Sequence, residues 1–134
     1  MADRHFTADE ANALLERVRP LAEQMVEQHR LLAGLLGRRS GATATIASNG
    51  GGANASAATG LDAEVAAARE ELARCVRELH ELGVQVKDLA SGLLDFPALR
   101  EGEEVLLCWR VGEDEIRYWH GADEGFAGRK PLPL

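Results

Sequence analysis

The chain has 134 residues, 46% of them hydrophobic and only 4% aromatic, with a formal net charge of −7 and a pI near 5.1. That length fits one domain with a core of its own, residues 1–134. The acidic balance repels phosphate backbones and anionic membrane surfaces. The two basic pairs, Arg38-Arg39 and Arg129-Lys130, are too short to form a nucleic-acid footprint.

Cys75 and Cys108 stand in no CxxC or CxxH spacing, which argues against a disulfide framework or a zinc knuckle. The stretch Met1 to Glu10 is polar and acidic rather than signal-like, and no apolar run approaches a membrane span. A reduced, cytoplasmic setting is expected.

A first helix is predicted over residues 6–38. Thr7 as N-cap and Glu10 three residues on form a capping box, and Asp9 and Glu10 complement the positive end of the helix dipole. Leu14, Val18, Leu21, Met25, Gln28, Leu32 and Leu35 alternate spacings of four and three, a heptad seam with one polar position. Pro20 lies inside this pattern and predicts a kink rather than a break, because the apolar period runs on through it.

Residues 40–60 are Gly, Ala, Ser, Thr and Asn with a single Ile46 and no charge, and read as a flexible, low-complexity connector at the tip of a hairpin. A second helix is predicted over 62–82. Val65, Ala68, Leu72, Cys75, Leu79 and Leu82 repeat the seam, and Gly83 with Val84 supplies a Schellman ending. Matching seams predict antiparallel packing, with self-association into a coiled-coil-like dimer as one way of burying them further.

After Gly83 the period changes to two. An antiparallel sheet of three to four strands is predicted within 84–120: Val84–Leu89, Leu93–Phe96 ended by Pro97, Val105–Val111, and Ile116–His120, the last two joined by a tight turn at Gly112-Glu113-Asp114. Pairing Val111 with Glu115 sets Cys108 opposite Tyr118 and Leu106 opposite His120. The rival register places Arg110 opposite Arg117, which like charges disfavour. The preferred register leaves both faces partly apolar, so helices should cover one, and the tail or a partner the other. The tail, 121–134, reads as irregular, packed back through Phe126 and Leu132. Trp109 and Trp119 share a face, with Arg117 placed for a cation–π contact. The fold class is therefore α+β, a long antiparallel helical hairpin packed with a small antiparallel sheet.

The same register gathers Cys108, Arg110, Tyr118 and His120, with Asp95 on a neighbouring strand and Arg129 in the tail. Cys108, His120 and Asp95 suit zinc or iron as metal ligands, or a nucleophile, base and orienter. Arg110 and Arg129, with Asp95 and His120, suit a small anionic ligand. Each residue also has a structural reading: Cys108 as a buried hydrophobe, His120 as a hydrogen-bonded cap, Arg110 with Asp95 as an internal ion pair. Lys87-Asp88 and Arg100-Glu101 read as solvated strand-end and turn charges. No HExxH, Walker A, GxSxG or dinucleotide fingerprint occurs, and no cofactor is evident.

Several words of the sequence resemble an uncharacterised bacterial family, domain-of-unknown-function family 2203. They are Gly83-Val-Gln-Val-Lys-Asp-Leu89, Gly92-Leu-Leu-Asp-Phe-Pro-Ala98, Val105-Leu-Leu-Cys-Trp-Arg110 with Gly112-Glu113, Tyr118-Trp-His120 and Gly125-Phe-Ala-Gly-Arg129. Phe6-Thr7, Glu10-Ala11-Asn12 and Val18-Arg19-Pro20 resemble its N-terminal helix, and residues 40–60 look like an insertion. The resemblance implies ancestry and fold, not a reaction. The family pattern places an acidic residue soon after the Trp-His pair, whereas here Gly121 and Ala122 follow and Asp123 and Glu124 come later. Two functions follow from the sequence: a non-enzymatic interaction module, binding a protein partner or a second copy through its helices, or an anion or metal site on the sheet.

Overall fold

The computed structural model describes residues 2–49 and 53–134, with side chains for 2–40 and 60–134. Two helices, α1 (Ala8–Asn49) and α2 (Ala53–Glu81), pack on a five-stranded antiparallel sheet: β1 (Gln85–Asp88), β2 (Leu93–Arg100), β3 (Glu103–Arg110), β4 (Tyr118–Gly121) and β5 (Lys130–Pro131). The strands lie in sequence order, β1-β2-β3-β4-β5, so each pairs with its neighbour in the chain. The fold is α+β, with one strand more than the upper expectation.

The capping box closes α1 reciprocally. The Thr7 N–H donates to Glu10 Oε1 at 2.9 Å and the Glu10 N–H to Thr7 Oγ1 at 3.1 Å. The helix runs unbroken through Pro20, which sits on the exposed side. At the end of α2 the Val84 N–H reaches the Leu79 carbonyl (3.0 Å) and the Gly83 N–H the His80 carbonyl (2.9 Å), with Gly83 at φ +90°: the Schellman pattern.

Both helices are longer than the sequence suggests. The connector expected over 40–60 is helical up to Asn49 and again from Ala53, while 50–52 lie outside the described residues. Alanine is the best helix former, and a helix already nucleated adds residues at little cost. Absence of charge and bulk in this stretch therefore signalled a missing core, not a missing helix.

The seams meet as their spacing predicts. Val18, Ala22 and Met25 of α1 and Cys75 and Leu79 of α2 are buried with Leu94, Phe96, Ala98, Val105, Leu107 and Trp109 of the sheet. Further out, Leu35, Val65 and Ala68 form a small second cluster. One sheet face is thus sealed by the helices.

β2 runs on through Pro97 to Arg100 instead of ending there. The Pro97 carbonyl accepts from the Phe6 N–H at 2.7 Å, away from β3, so the absent proline N–H also points off the β3 ladder, on the side where β1 has already ended. Glu101 (φ 53°) and Gly102 (φ 83°) then make a two-residue turn into β3. The β3–β4 register is the one predicted, with Leu106 opposite His120 and Cys108 opposite Tyr118. Pairing stops there. Residues 111–117 form a longer loop instead of a tight turn, tied down by Arg19 on the Glu113 and Asp114 carbonyls (3.0 and 2.7 Å).

The tail is more regular than expected: a 3-10 turn at Phe126–Gly128 leads into β5, whose Lys130 pairs with Trp119. It lies across the second sheet face. Arg117 does not stack on either tryptophan but pairs with Asp114 at 2.9 Å. Arg19 approaches Trp109, and Arg100 and Lys130 approach Trp119. No helix among the described residues is long and apolar enough to cross a membrane.

Candidate functional site

The face turned away from the helices carries Asp95 on β2, Cys108 on β3 and His120 on β4. Asp95 pairs with Cys108 across one ladder, and His120 lies two pairs along from Tyr118, the partner of Cys108 across the next. Alternation of side chains puts all three on one face. They are 2%, 1% and 2% exposed, so the tail seals them as thoroughly as the helices seal the core.

His120 Nε2 lies 3.0 and 3.1 Å from the two Asp95 oxygens, and Nδ1 lies 2.8 Å from the Gly121 carbonyl. A carbonyl only accepts, so Nδ1 carries a proton, and a second proton lies between Nε2 and the Asp95 carboxyl. One donor atom each from Asp95, Cys108 and His120 fall within 4.8 Å of one another. A Cys-His-Asp nucleophile triad needs one imidazole nitrogen on the thiol and the other on the carboxylate. Here the second nitrogen is held by Gly121, so the arrangement does not serve that chemistry. Among the described residues no buried side-chain polar atom lacks a partner, so the cluster is a closed network.

Arg129 reaches in from the tail. Its Nε donates to Cys108 Sγ at 3.3 Å and a terminal nitrogen to the Cys108 carbonyl at 3.3 Å. Two more bonds, of 2.9 and 2.6 Å, go to the Glu113 carboxylate, and the guanidinium stacks on Tyr118 and Phe126. Burial pushes the Cys108 thiol up to about 11, against the pull of Arg129. Burial also acts to raise Glu113, but the Arg129 ion pair and the Arg110 N–H outweigh it and hold the carboxyl below its usual range. Arg129 thus organises Cys108 and is fully occupied.

Arg110 sits apart. It is exposed, lies over the Phe126 ring at 4.9 Å and makes no ion pair among the described residues, so the expected ion pair with Asp95 is absent. Asp95 pairs with His120 instead.

Three residues take roles in the site that the sequence alone does not assign. Glu113, a turn residue by sequence, is the partner of Arg129. Glu124 folds back so that its Oε1 accepts from the Gly121 N–H at 2.8 Å and from Lys130 at 2.6 Å, which holds its carboxyl below the usual range. A Cβ at Gly121 would stand 2.9 Å from that oxygen and one at Gly128 2.9 Å from Glu124 Cβ, so both glycines make room for it. Lys87, read as a solvated charge, sits at a register shift in β1 and lines a cavity with Asp95, His120 and Glu124. The late acidic residue noted after Trp-His does therefore return to the histidine's surroundings.

No curated protein and no solved structure matches the chain. The model of one family, described as an uncharacterized conserved protein (DUF2203), matches residues 4–132. That span is nearly the whole chain and carries both the hairpin and every strand of the sheet; the protein belongs to the DUF2203 family.

Proposed function

We propose that the protein binds a single divalent transition-metal ion, of the zinc or ferrous class, through Asp95, Cys108 and His120. The observation that carries this is the preset cluster: oxygen, sulfur and nitrogen donors within 4.8 Å, with the far side of the imidazole capped by a carbonyl. Metal-bound histidines are typically held in this way, with the second nitrogen on a carbonyl or carboxylate that fixes tautomer and ring orientation. Thiolate with imidazole and carboxylate suits zinc or iron better than magnesium or calcium. Charge also balances. A dication with one carboxylate and one thiolate sums to zero, so the centre can lie buried without a net charge. Arg129 supports the thiolate from outside the ligand set, and Glu113 holds Arg129.

Titration of the chelator-stripped full chain with zinc against a competing chromophoric chelator tests the proposal. One ion per chain is expected, with loss of binding in Cys108→Ser and His120→Asn variants whose far-UV circular dichroism is unchanged. Binding that survives in both variants refutes it.

A second reading, self-association through the hairpin, draws on a shallow apolar groove on α2 formed by Leu72, Ala73 and Val76. Its support is weaker, because the two seams already bury their central residues against each other and the sheet. Light scattering coupled to size exclusion separates the cases, and a monomer at high concentration removes the dimer.

A further inference from the structure

We infer that the centre takes a small monovalent carboxylate-type anion, of the formate, acetate or bicarbonate class, as an exchangeable fourth ligand, admitted through the cavity under the tail and steered by Lys87. This rests on the metal reading above. Three protein ligands leave a position open on a four-coordinate ion, the pattern of zinc sites that exchange a ligand rather than of purely structural ones. A cavity of about 150 Å³ lies between the sheet and the segment 122–126, and two of the three ligands, Asp95 and His120, line it. An open position reached from Asp95 and His120 faces that space.

Size and charge narrow the occupant. At roughly 30 Å³ per water, the cavity of about 150 Å³ has the volume of about five waters, enough for a small anion. Leu106 and Phe126 give it apolar walls. Its charged side chains beyond the ligands are Lys87 and Glu124. Glu124 is already countered by Lys130 and the Gly121 N–H, whereas Lys87 makes no ion pair among the described residues. Arg129 is committed to Glu113 and Cys108 and has nothing to offer an incoming anion. With a neutral metal centre, the uncompensated charge at the cavity is the single positive charge of Lys87. One cation matches one monoanion, bound at one end by the metal and attracted at the other by the ammonium.

Cobalt(II) in place of zinc makes the test optical. The full chain is loaded with cobalt and titrated with sodium acetate, then with acetamide, at constant ionic strength. Acetate is expected to shift the visible d–d bands saturably, and acetamide, of the same size without the charge, to leave them unmoved. Lys87→Gln, at an exposed position, should keep the cobalt spectrum and weaken acetate about tenfold, the loss of one charge-assisted contact. Bands indifferent to acetate overturn the inference while leaving the metal site standing, and so do equal shifts with acetamide or an unchanged acetate affinity in Lys87→Gln. Absence of the thiolate-to-cobalt charge-transfer band is a different failure, that of the metal reading itself.

Discussion

Replacing Asp95 by leucine removes the carboxylate but leaves the His120 imidazole in place, 2% exposed, with Nε2 facing an apolar side chain. At 2% exposure the nitrogen recovers little hydration, so the stranded group bears most of its desolvation cost. Breaking a buried pair from one side costs about 3–5 kcal/mol. The converse variant, His120→Leu, strands the Asp95 carboxylate at the same depth and should cost a similar amount. The double variant strands neither, and apolar replacement of a buried pair is often close to neutral. The two single losses should therefore greatly exceed the double loss, with a coupling of about 3 kcal/mol or more. A chain of this size has about 5–15 kcal/mol of total stability, so the single variants remain measurable by urea unfolding at low temperature. Trp109, on the strand between the two residues, and Trp119, next to His120, report the transition by fluorescence, and chelator in every sample keeps metal binding out of the cycle. Coupling below about 0.5 kcal/mol would show that the two side chains act independently and would refute the pairing argument.

Three further outcomes follow from other parts of the structure. Thr7→Ala removes one half of the reciprocal cap of α1 and should cost about 1 kcal/mol in chemical denaturation, whereas an unchanged midpoint would mean the cap adds nothing in this context. Gly92→Ala puts a Cβ 2.4 Å from Val111 Cγ2 and 2.9 Å from Val26 Cγ2 at φ +69°, and should lower the melting temperature far more than Gly102→Ala, where φ is also positive but nothing lies within 4 Å; equal losses would contradict the steric argument. The carboxyls of Glu10, Asp88, Glu104, Asp114 and Glu124 are all held below their ordinary values of 3.8 or 4.5, chiefly by hydrogen bonds from neighbouring N–H, hydroxyl or ammonium groups. Depressed folded-state values mean that their stabilisation is complete above that range and is lost as the pH falls through it. Thermal melts between pH 7 and pH 3 should therefore decline on the acid side, and a melting temperature that rises towards pH 3 would refute this.

The hairpin was legible because helices repeat on a short period and each seam carries its own signature. Val18, Met25, Cys75 and Leu79 need only local spacing to be placed. The β3–β4 register was legible for a different reason: Arg110 opposite Arg117 is a like-charge conflict, and avoiding it brings Cys108 and His120 onto one face. Asp95 could be nominated, but the sequence favours Arg110 over its true partner His120, because that choice depends on how β2 pairs, and Pro97 concealed half of that strand. Glu113 and Glu124 were illegible as site residues. Their partners, Arg129 and Lys130, arrive along a tail whose path follows no periodic pattern. The stretch 40–60 misled in the opposite direction, since small residues without a core pattern remain compatible with continued helix.

The sequential strand order has a consequence for how the centre comes into being. Each pairing closes only a short loop, so the sheet can zip up one neighbour at a time at small entropic cost. Asp95, Cys108 and His120 each come from a different strand of that series, and the roof above them comes from the segment that follows the last of the three. The centre therefore exists only once β4 has docked. An ion captured there would act as a latch on the final stage of assembly, stabilising the finished sheet by mass action and leaving its partly zipped precursors untouched.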